Sequence, residues 1–414
     1  MQIAYIHQYF STPVGSGGIR TYEFARRWVE AGHKVTVITT CVRLTNKELK
    51  QAEILKKGIK KLSLEGIDII AIEVPYDSNM GVVRRGLSFL QFCWRSSCVL
   101  IRLKKIDIVF ATSTPLTVAI PALVNKFFRK VAFVFEVRDL WPKNLIANGI
   151  IKNKLLVTIS LWFEKYIYKK AAGIVALSPN MKEYIDQITE KPDKTITVPN
   201  CADIELFKPI GDEEKRKIKL RFGWENKFVI MHTGAIGKVN GLDRIVKVAS
   251  RIQNHPQIHF VFIGNGREKV SVEKLVSEEN LCNVMFMNPI PKLELAKILP
   301  AANIGLVSIH KMPHSEFNSA NKFFDYLACG LPVMLNYAGW QKSILDEHNA
   351  GLGCDIFNDD QFIENLLLLL NSPDLRKQMG KNARKLSEAE FSRDILSQKV
   401  FDFILQCFTQ SRYR

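Results

Sequence analysis

Residues 318–333, NSANKFFDYLACGLPV, place small polar residues, a lysine and an aspartate around a short helical pattern. A helix that begins near Ser319, Asn321 and Lys322 presents unpaired backbone N–H groups, the positive end of the helix dipole and an ammonium group at one point. An anion such as a diphosphate suits this point. Asp325, one turn further along, is placed to meet a ribose.

Glycine-rich turns elsewhere in the chain are candidates for contacts with the same anion, because glycine lets backbone N–H groups approach closely. The first lies in STPVGSGGIR (11–20), the second in TGAIGKVNGLD (233–243) and the third at 264–266. Ordinary tight turns are an equally good interpretation of the first two, and a lone GxG is common turn chemistry. The candidate residues are Gly17, Gly18, Gly234, Lys238, Asn240, Gly264 and Gly266.

The segment EVRDLWP (136–142) follows an apolar run and carries three charges, on Glu136, Arg138 and Asp139. Three charges are more than we expect at a buried strand end unless they have a binding or catalytic role. Mutual ion pairing is the alternative interpretation. We therefore keep Arg138 and Asp139 as candidate catalytic residues.

Two stretches, 83–105 and 155–170, mix aromatic and aliphatic residues with lysine and arginine. Basic side chains beside an apolar face suit a helix that lies in a membrane interface. A helix packed on a sheet with a solvated basic face fits each stretch at least as well.

The net charge of +17 over 414 residues is unevenly distributed. Residues 1–200 hold 30 Lys and Arg against 16 Asp and Glu, whereas residues 201–414 hold 28 against 25. A basic first half predicts an anionic partner, which is nucleic acid, an acidic metabolite or a membrane surface.

The eight cysteines are scattered without a CxxC pair, so neither a metal site nor a disulfide framework is predicted. The segment MQIAYIHQYF lacks the basic leader and apolar core of a signal peptide, and no apolar run reaches about 18 residues. These features predict a cytoplasmic protein that at most lies on a membrane.

Short apolar runs alternate with helical patterns along the whole chain, which predicts an α/β fold with parallel sheets covered on both faces. The join between two such sheets is expected near 199–209, PNCADIELFKP, and 391–414 is a helix that packs back on the first domain. We thus predict two Rossmann-like domains, 1–198 and 199–390, facing across a cleft. The predicted strands are 3–7, 34–39, 67–74, 108–112, 132–137, 173–177, 195–198, 228–233, 259–263, 284–287, 304–307 and 332–335.

These motifs, in this order, resemble glycosyltransferase family 4 with the GT-B architecture. The similarity includes GSGGIRTYEFARRWVEAGHKVTVIT (15–39), VPNCADIELFKP (198–209), HTGAIGKVNGLDRIVKVA (232–249) and FVFIGNGRE (260–268). RDLWP (138–142) and NKFFDYLACGLPV (321–333) resemble a bacterial subgroup that builds surface polysaccharides and is similar to L-fucosamine (N-acetyl-fucosamine) transferases.

The resemblance implies retaining transfer of a hexose-type sugar, N-acetylated or deoxy, from a UDP-sugar without metal or cofactor. The implied acceptor is a polyprenyl-diphosphate-linked saccharide in O-antigen, capsule or exopolysaccharide synthesis. The first domain of such enzymes holds the acceptor. The basic charge of 1–200 suits binding to the anionic inner face of the cell membrane.

The chain departs from the family pattern at several positions. Cations expected beside the second-domain glycine turn are replaced by Ala235 and Asn240, so Lys238 and Lys322 would supply the charge. Of the family's E-x7-E pair, Asp325 takes the second position, while the first falls on Phe317, one residue from Glu316. Glu316 is therefore a candidate catalytic residue.

The family's His before Asp in the first domain is replaced by Arg138 before Asp139. Asp139 is the candidate base that takes the proton from the acceptor substrate. Arg138 is the candidate residue that binds a phosphate.

Other classes fit less well. A UDP-sugar epimerase of the same architecture needs clustered carboxylates and histidines, which are not evident. A Rossmann oxidoreductase needs GxGxxG after the first strand. A nucleic-acid-binding protein is suggested by charge alone, without a recognisable module, so no nucleic-acid partner is predicted.

Overall fold

The computed structural model describes residues 1–15, 18–77, 80–355 and 358–412. The chain divides into two compact units. Unit 1 comprises Met1–Pro199 with Asp394–Arg414, and unit 2 comprises Asn200–Arg393.

Unit 1 is a nine-stranded sheet with helices on its faces. Its strands are β1 (Gln2–Ile6), β2 (Lys34–Thr40), β3 (Glu53–Lys56), β4 (Ile59–Leu64), β5 (Ile67–Ile72), β6 (Ile108–Thr112), β7 (Phe133–Val137), β8 (Gly173–Ala176) and β9 (Thr195–Thr197). Its helices are α1 (Arg20–Glu30), α2 (Asn46–Gln51), α3 (Val82–Arg102), α4 (Ala119–Arg129), α5 (Lys143–Ala147), α6 (Lys154–Lys170), α7 (Pro179–Thr189) and, at the end of the chain, the last helix (Arg393–Arg412).

The strand order in unit 1 is β3-β4-β5-β2-β1-β6-β7-β8-β9. All neighbours are parallel except for β3 with β4 and β4 with β5. The chain leaves β1 in one direction for β2 and later returns to its other side with β6. Ligands of such sheets bind at the carboxyl ends of the strands where the order reverses.

Unit 2 is a six-stranded parallel sheet in the order β12-β11-β10-β13-β14-β15. Here the order reverses between β10 and β13. The strands are β10 (Phe228–Thr233), β11 (Ile258–Ile263), β12 (Val284–Met287), β13 (Ile304–Val307), β14 (Val333–Leu335) and β15 (Gly351–Gly353). The helices are α8 (Asp212–Phe222), α9 (Leu242–Arg251), α10 (Lys269–Glu278), α11 (Lys292–Ile298), α12 (Asn321–Ala328), α13 (Trp340–His348), α14 (Asp359–Asn371) and α15 (Pro373–Glu390); the last helix is thus α16.

Burial on both faces explains why the central strands are apolar along their whole length. Every residue of β6, β7, β10 and β13 is buried. Amphipathic helices cover the sheets: α9, for example, buries Leu242, Ile245 and Val246 against β10 and β11 in one core. The predicted α/β fold with two Rossmann-like domains is confirmed.

Each strand predicted from an apolar run is present with small differences in its bounds, but three strands were not predicted. β3 is exposed along its length, and β4 is only partly buried, so neither has a continuous apolar run. β15 has the sequence GLG, and its two glycines interrupt the apolar run that would have predicted a strand. A Cβ on Gly351 would lie 2.1 Å from the carbonyl oxygen of Val333, so close strand packing requires glycine there.

Candidate functional site

The amino end of α12 lies after β13, at the point where the strand order of unit 2 reverses. The residue before the helix is Ala320, and no side chain among the described residues caps this end. Asn321 is exposed at the first helical position. The first N–H groups of α12 therefore remain available for an anion, and the predicted binding of a diphosphate there stays a prediction.

Lys322 is held in place by two groups from the β10 side of unit 2. Its Nζ donates to Oδ1 of Asn240 at 2.9 Å and lies 3.1 Å from Nε2 of His232. Burial lowers the pKa of the half-buried Lys322 to about 7. An anion bound beside it would favour the charged form and raise this pKa again.

His232 occupies the carboxyl end of β10 and is buried. Burial, and then the charge of Lys322, lower its pKa well below the ordinary value. The ring is therefore neutral, and Nε2 accepts from the Lys322 ammonium if Nδ1 carries the proton.

Asn240 links two loops at this edge of the sheet. Its side-chain amide donates to the carbonyl of Ala235 at 2.8 Å, and its own carbonyl accepts from Ser308 at 2.6 Å. Gly241 follows with φ of +55°, and a Cβ there would meet the backbone of His310 at 3.1 Å. The loops after β10 and β13 are thus tied together beneath Lys322.

Tyr326 fixes the orientation of α12 on the sheet. Its hydroxyl accepts from the backbone N–H of Thr233 at 2.9 Å. The ring lies over Gly305, where a Cβ would come within 2.3 Å of it. A glycine in β13 therefore allows the helix to approach and to present Lys322.

The glycines of the two turns have a packing role that is independent of any ligand. A Cβ on Gly264 would lie 1.8 Å from the carbonyl oxygen of Gly234, and one on Gly266 would lie 2.2 Å from that of Ile236. The N–H of Ile236 donates to the carbonyl of Asn265 at 2.9 Å. The turns after β10 and β11 therefore pack directly on each other, and the role of these glycines in donor binding stays a prediction.

The other predicted residues of unit 2 have different surroundings. Ser319 precedes α12 and was wrongly expected at its start; its hydroxyl accepts from the N–H of Asn200 at 3.0 Å. Asp325 is buried and pairs with Lys292 at 3.8 Å, while burial raises the pKa of its carboxyl. Lys238 is exposed, and Glu316 is half-buried beside Gly339.

In unit 1, Glu136 pairs with Arg20 rather than with Arg138. Nε of Arg20 donates to the buried carboxylate at 2.9 Å, and the hydroxyl of Thr112 donates to its other oxygen at 2.5 Å. Arg20 also donates to the carbonyls of Val198 and Pro199. Mutual pairing within EVRDLWP is therefore wrong for Glu136, whose partner comes from the start of α1.

Arg138 and Asp139 remain at the carboxyl edge of the unit 1 sheet. The N–H of Arg138 donates to the hydroxyl of Ser113, which follows β6, at 2.9 Å. Asp139 is exposed, so hydration limits the rise in pKa that the surrounding protein gives its carboxyl. His7, after β1, is buried with Nδ1 2.9 Å from the hydroxyl of Thr21.

The glycine loop of unit 1 is only partly described. Gly17 lies outside the described residues, and Gly18 is exposed just before α1. The N–H of Gly15 donates to the carbonyl of Thr12 at 3.0 Å. The predicted contact of Gly17 and Gly18 with an anion stays a prediction.

Sequence reasoning missed His232, Tyr326 and His7. Histidines at the ends of buried strands, in AYIHQ and VIMHTG, are the signal that could have indicated two of them. No group of three or more metal-ligating His, Cys, Asp or Glu side chains occurs in the described part of the chain.

Comparisons with known proteins identify the two domains. A model described as "Glycosyl transferase 4-like domain" matches residues 15–201, and one described as "Glycosyl transferases group 1" matches residues 213–386. The probable glycosyltransferase WbjE of Pseudomonas aeruginosa is 21% identical over 351 residues, 84% of this chain and 86% of that protein.

Two solved structures show the same fold. Sucrose-phosphate synthase from Thermosynechococcus elongatus superposes with a TM-score of 0.76 at 17% identity, over 99% of both chains. Anabaena HepE in complex with UDP superposes with a TM-score of 0.72 at 14% identity, over 98% of this chain and 100% of that one. The chain is a GT-B glycosyltransferase, in which a glycosyltransferase 4-like domain precedes a group 1 domain.

Proposed function

We propose that the protein is a retaining glycosyltransferase that moves a hexose-type sugar from a UDP-sugar to a lipid-linked saccharide in surface-polysaccharide synthesis. The observation that carries the proposal is the Lys322 cluster. A lysine, held by Asn240 and His232, lies at the uncapped start of α12 where the strand order of the sheet reverses.

This cluster suits a leaving diphosphate. Its negative charge grows as the bond to the sugar breaks, and the ammonium of Lys322 with the first N–H groups of α12 would stabilise that charge. Because hydrogen bonds already hold Lys322, little reorganisation accompanies the reaction. Asp325 is the proposed contact to the ribose, in competition with its ion pair to Lys292.

In unit 1, Asp139 is the proposed acceptor of the proton of the attacking hydroxyl, and Arg138 the proposed contact to an acceptor phosphate. Glu316 in unit 2 is the remaining catalytic candidate. Glu136 takes no part in this proposal, because its carboxylate is fully used by Arg20 and Thr112.

The choice of UDP is supported by HepE, a protein of the same fold that was solved in complex with UDP and with UDP-glucose. An N-acetylated or deoxy sugar is proposed from the resemblance of RDLWP and the NKFF helix to L-fucosamine transferases. The donor is a substrate, and the proposal needs no metal or cofactor.

A lipid-linked acceptor is supported by one helical layer of unit 1. Helix α4 contacts both α3 and α6. These helices expose large apolar side chains, among them Leu87, Leu90, Trp94, Leu155, Leu156, Ile159 and Trp162. No helix in the described part of the chain is long and apolar enough to span a bilayer. We propose that this layer lies on the anionic inner face of the membrane.

The proposal is tested by thermal shift against UDP, GDP, NAD and a panel of UDP-sugars, followed by transfer to a polyprenyl-diphosphate-linked saccharide. We expect stabilisation by UDP and by one class of UDP-sugar, and an axial or equatorial anomeric bond in the product that matches the donor's. Stabilisation by NAD alone would overturn the proposal. Conversion of the UDP-sugar to its epimer without any acceptor would indicate the epimerase instead.

A further inference from the structure

A pocket of about 650 Å³ lies in unit 1, at the amino-terminal edge of the sheet. Its lining includes Ala132 just before β7 and Ala171 and Ala172 just before β8. This edge is opposite to the carboxyl ends of the strands, where Arg138 and Asp139 lie. Six lysines line it and define what we call the lysine pocket: Lys126, Lys130, Lys169, Lys170, Lys191 and Lys194.

Two of these lysines stabilise the carboxyl end of α6. Nζ of Lys126 donates to the carbonyl of Lys170 at 2.6 Å, and Nζ of Lys194 donates to those of Tyr168 and Lys169 at 2.7 and 2.9 Å. These contacts satisfy carbonyls that a helix end leaves unpaired. They account for two of the charges and leave four.

The remaining charge exceeds what the local carboxylates can balance. Glu190 and Asp193 are the acidic residues of the lining. Among the described residues, no ion pair involves Lys130, Lys169, Lys170 or Lys191. Burial, and then the nearby charge of Lys170, lower the pKa of Lys126, as expected where cations are crowded. The lining of the lysine pocket therefore carries an excess of positive charge.

Exposed aromatic pairs lie on α4 and α6, the two helices that supply Lys126, Lys169 and Lys170 to this pocket. On α4, Phe127 and Phe128 are 70% and 67% exposed, with ring centroids 5.0 Å apart. On α6, Trp162 and Tyr166 are stacked at 5.5 Å and are 62% and 39% exposed. Lysines of the pocket lie over two of these rings, Lys130 at 5.6 Å from Phe127 and Lys170 at 5.7 Å from Tyr166.

Aromatic rings beside ammonium groups suit the boundary between lipid headgroups and acyl chains. A soluble phosphate would use the lysines but gives no reason for four large exposed rings on the same two helices. Charge and apolar surface together therefore favour a lipid over a free anion.

We propose that the lysine pocket binds the phosphate headgroup of an anionic phospholipid, while the aromatic pairs of α4 and α6 enter the interface beside it. This inference rests on the membrane location in the proposed function and names the lipid contact that sets it. It assigns a site that is separate from both the donor and the acceptor residues.

The test is flotation of the full chain with vesicles of phosphatidylcholine alone or mixed with phosphatidylglycerol. We expect binding to the mixed vesicles only. The double variant Lys169→Gln/Lys170→Gln should weaken that binding about tenfold or more, since each lysine near an anionic surface contributes roughly a fivefold factor. Phe127→Ser should also weaken it, because the variant loses apolar contact but no charge.

The matched control is Lys56→Gln/Lys57→Gln, which removes the same charge from an adjacent, exposed pair at the β3 end of the same unit. The control should retain nearly all binding. Equal loss in both double variants would overturn the pocket, since only the total charge would then matter. Release of the protein from vesicles by millimolar inorganic phosphate would indicate that the pocket binds a soluble anion. If Lys169→Gln/Lys170→Gln lost binding to duplex DNA but kept binding to vesicles, the pocket would be a nucleic-acid site. Either result overturns the inference.

A UDP thermal shift on the same wild-type samples separates this inference from the proposed function. Pocket-dependent vesicle binding without a UDP shift would support the lipid site and overturn the donor. A UDP shift without vesicle binding would overturn the lipid site and leave the donor proposal in place.

Discussion

Lys322 shows how a single residue acquires a role from its surroundings. Its position at the start of α12 is local, but the groups that hold it, His232 and Asn240, are 90 and 82 residues away in sequence. Burial disfavours its charge in the free protein, and an anionic ligand would restore it.

We predict that Lys322→Ala weakens UDP-sugar binding about 10- to 100-fold. This loss corresponds to the roughly 1.5–3 kcal/mol that a hydrogen bond to a charged group contributes. Isothermal titration calorimetry measures this affinity. Lys247→Ala, which removes an exposed lysine from α9, is the matched control and should bind as the wild type does. Unchanged affinity in Lys322→Ala would mean that α12 only supports the fold.

The lowered pKa of Lys322 predicts a pH dependence of binding. With a pKa of about 7, the free protein loses this proton near neutrality, whereas the bound diphosphate favours the ammonium. Binding should therefore take up a proton near pH 7, and affinity should fall as the pH rises through that value. Titrations in buffers of different ionisation enthalpy count the protons, and the uptake should be absent in Lys322→Ala.

At the scale of elements, the two glycine turns of unit 2 can be distinguished by the space around them. Gly264 faces the carbonyl of Gly234, whereas nothing lies within 4 Å of a Cβ on Gly237. We predict that Gly264→Ala lowers the free energy of unfolding by about 1–3 kcal/mol or more through overpacking. Gly237→Ala should change it little. Urea unfolding measures both, and equal stabilities would contradict the packing of one turn on the other.

The EVRDLWP segment divides its charges between structure and proposed chemistry. Glu136→Ala removes the carboxylate that balances the charge of the buried Arg20 and should cost about 3–5 kcal/mol of stability. Asp139→Ala removes an exposed side chain and should leave stability within about 0.5 kcal/mol while reducing sugar transfer. Urea unfolding and transfer assays on both variants test this division; a stable Glu136→Ala would refute the structural role.

The elements themselves were largely predictable, because strands buried on both faces need continuous apolar runs. The apolar pattern did not predict strands that are exposed to solvent. The β3–β4 hairpin lies at the open edge of the sheet and reads EILKKGIKKLSL, with lysines along it. Exposed edge strands are charged for good reason, since charge discourages pairing with other chains.

At the scale of the whole molecule, α16 completes unit 1 from the far end of the sequence. Nε1 of Trp28 donates to the carbonyl of Ser397 at 3.2 Å, and the rings of His33 and Phe401 are stacked at 4.3 Å. A Cβ on Gly173 in β8 would lie 2.5 Å from the sulfur of Cys407.

We therefore predict that a chain ending at residue 393 loses protection against hydrogen exchange in α1 and β8, because α16 no longer shields them. Exchange in β10 and β13 of unit 2 should be unaffected and serves as the internal control. Undiminished protection of β8 in the shortened chain would show that α16 is dispensable.

The amino-acid sequence by itself determined the strand and helix pattern, the glycine turns and the lysine at the start of α12, because each depends on residues close together in the chain. It could not pair Glu136 with Arg20, turn Asp325 towards Lys292 or surround Lys322 with His232 and Asn240. Those partners meet only when strands distant in sequence become neighbours in a sheet. A buried charge takes whichever partner that neighbourhood supplies, and so the tertiary structure decided which of the predicted residues bear on chemistry and which on stability.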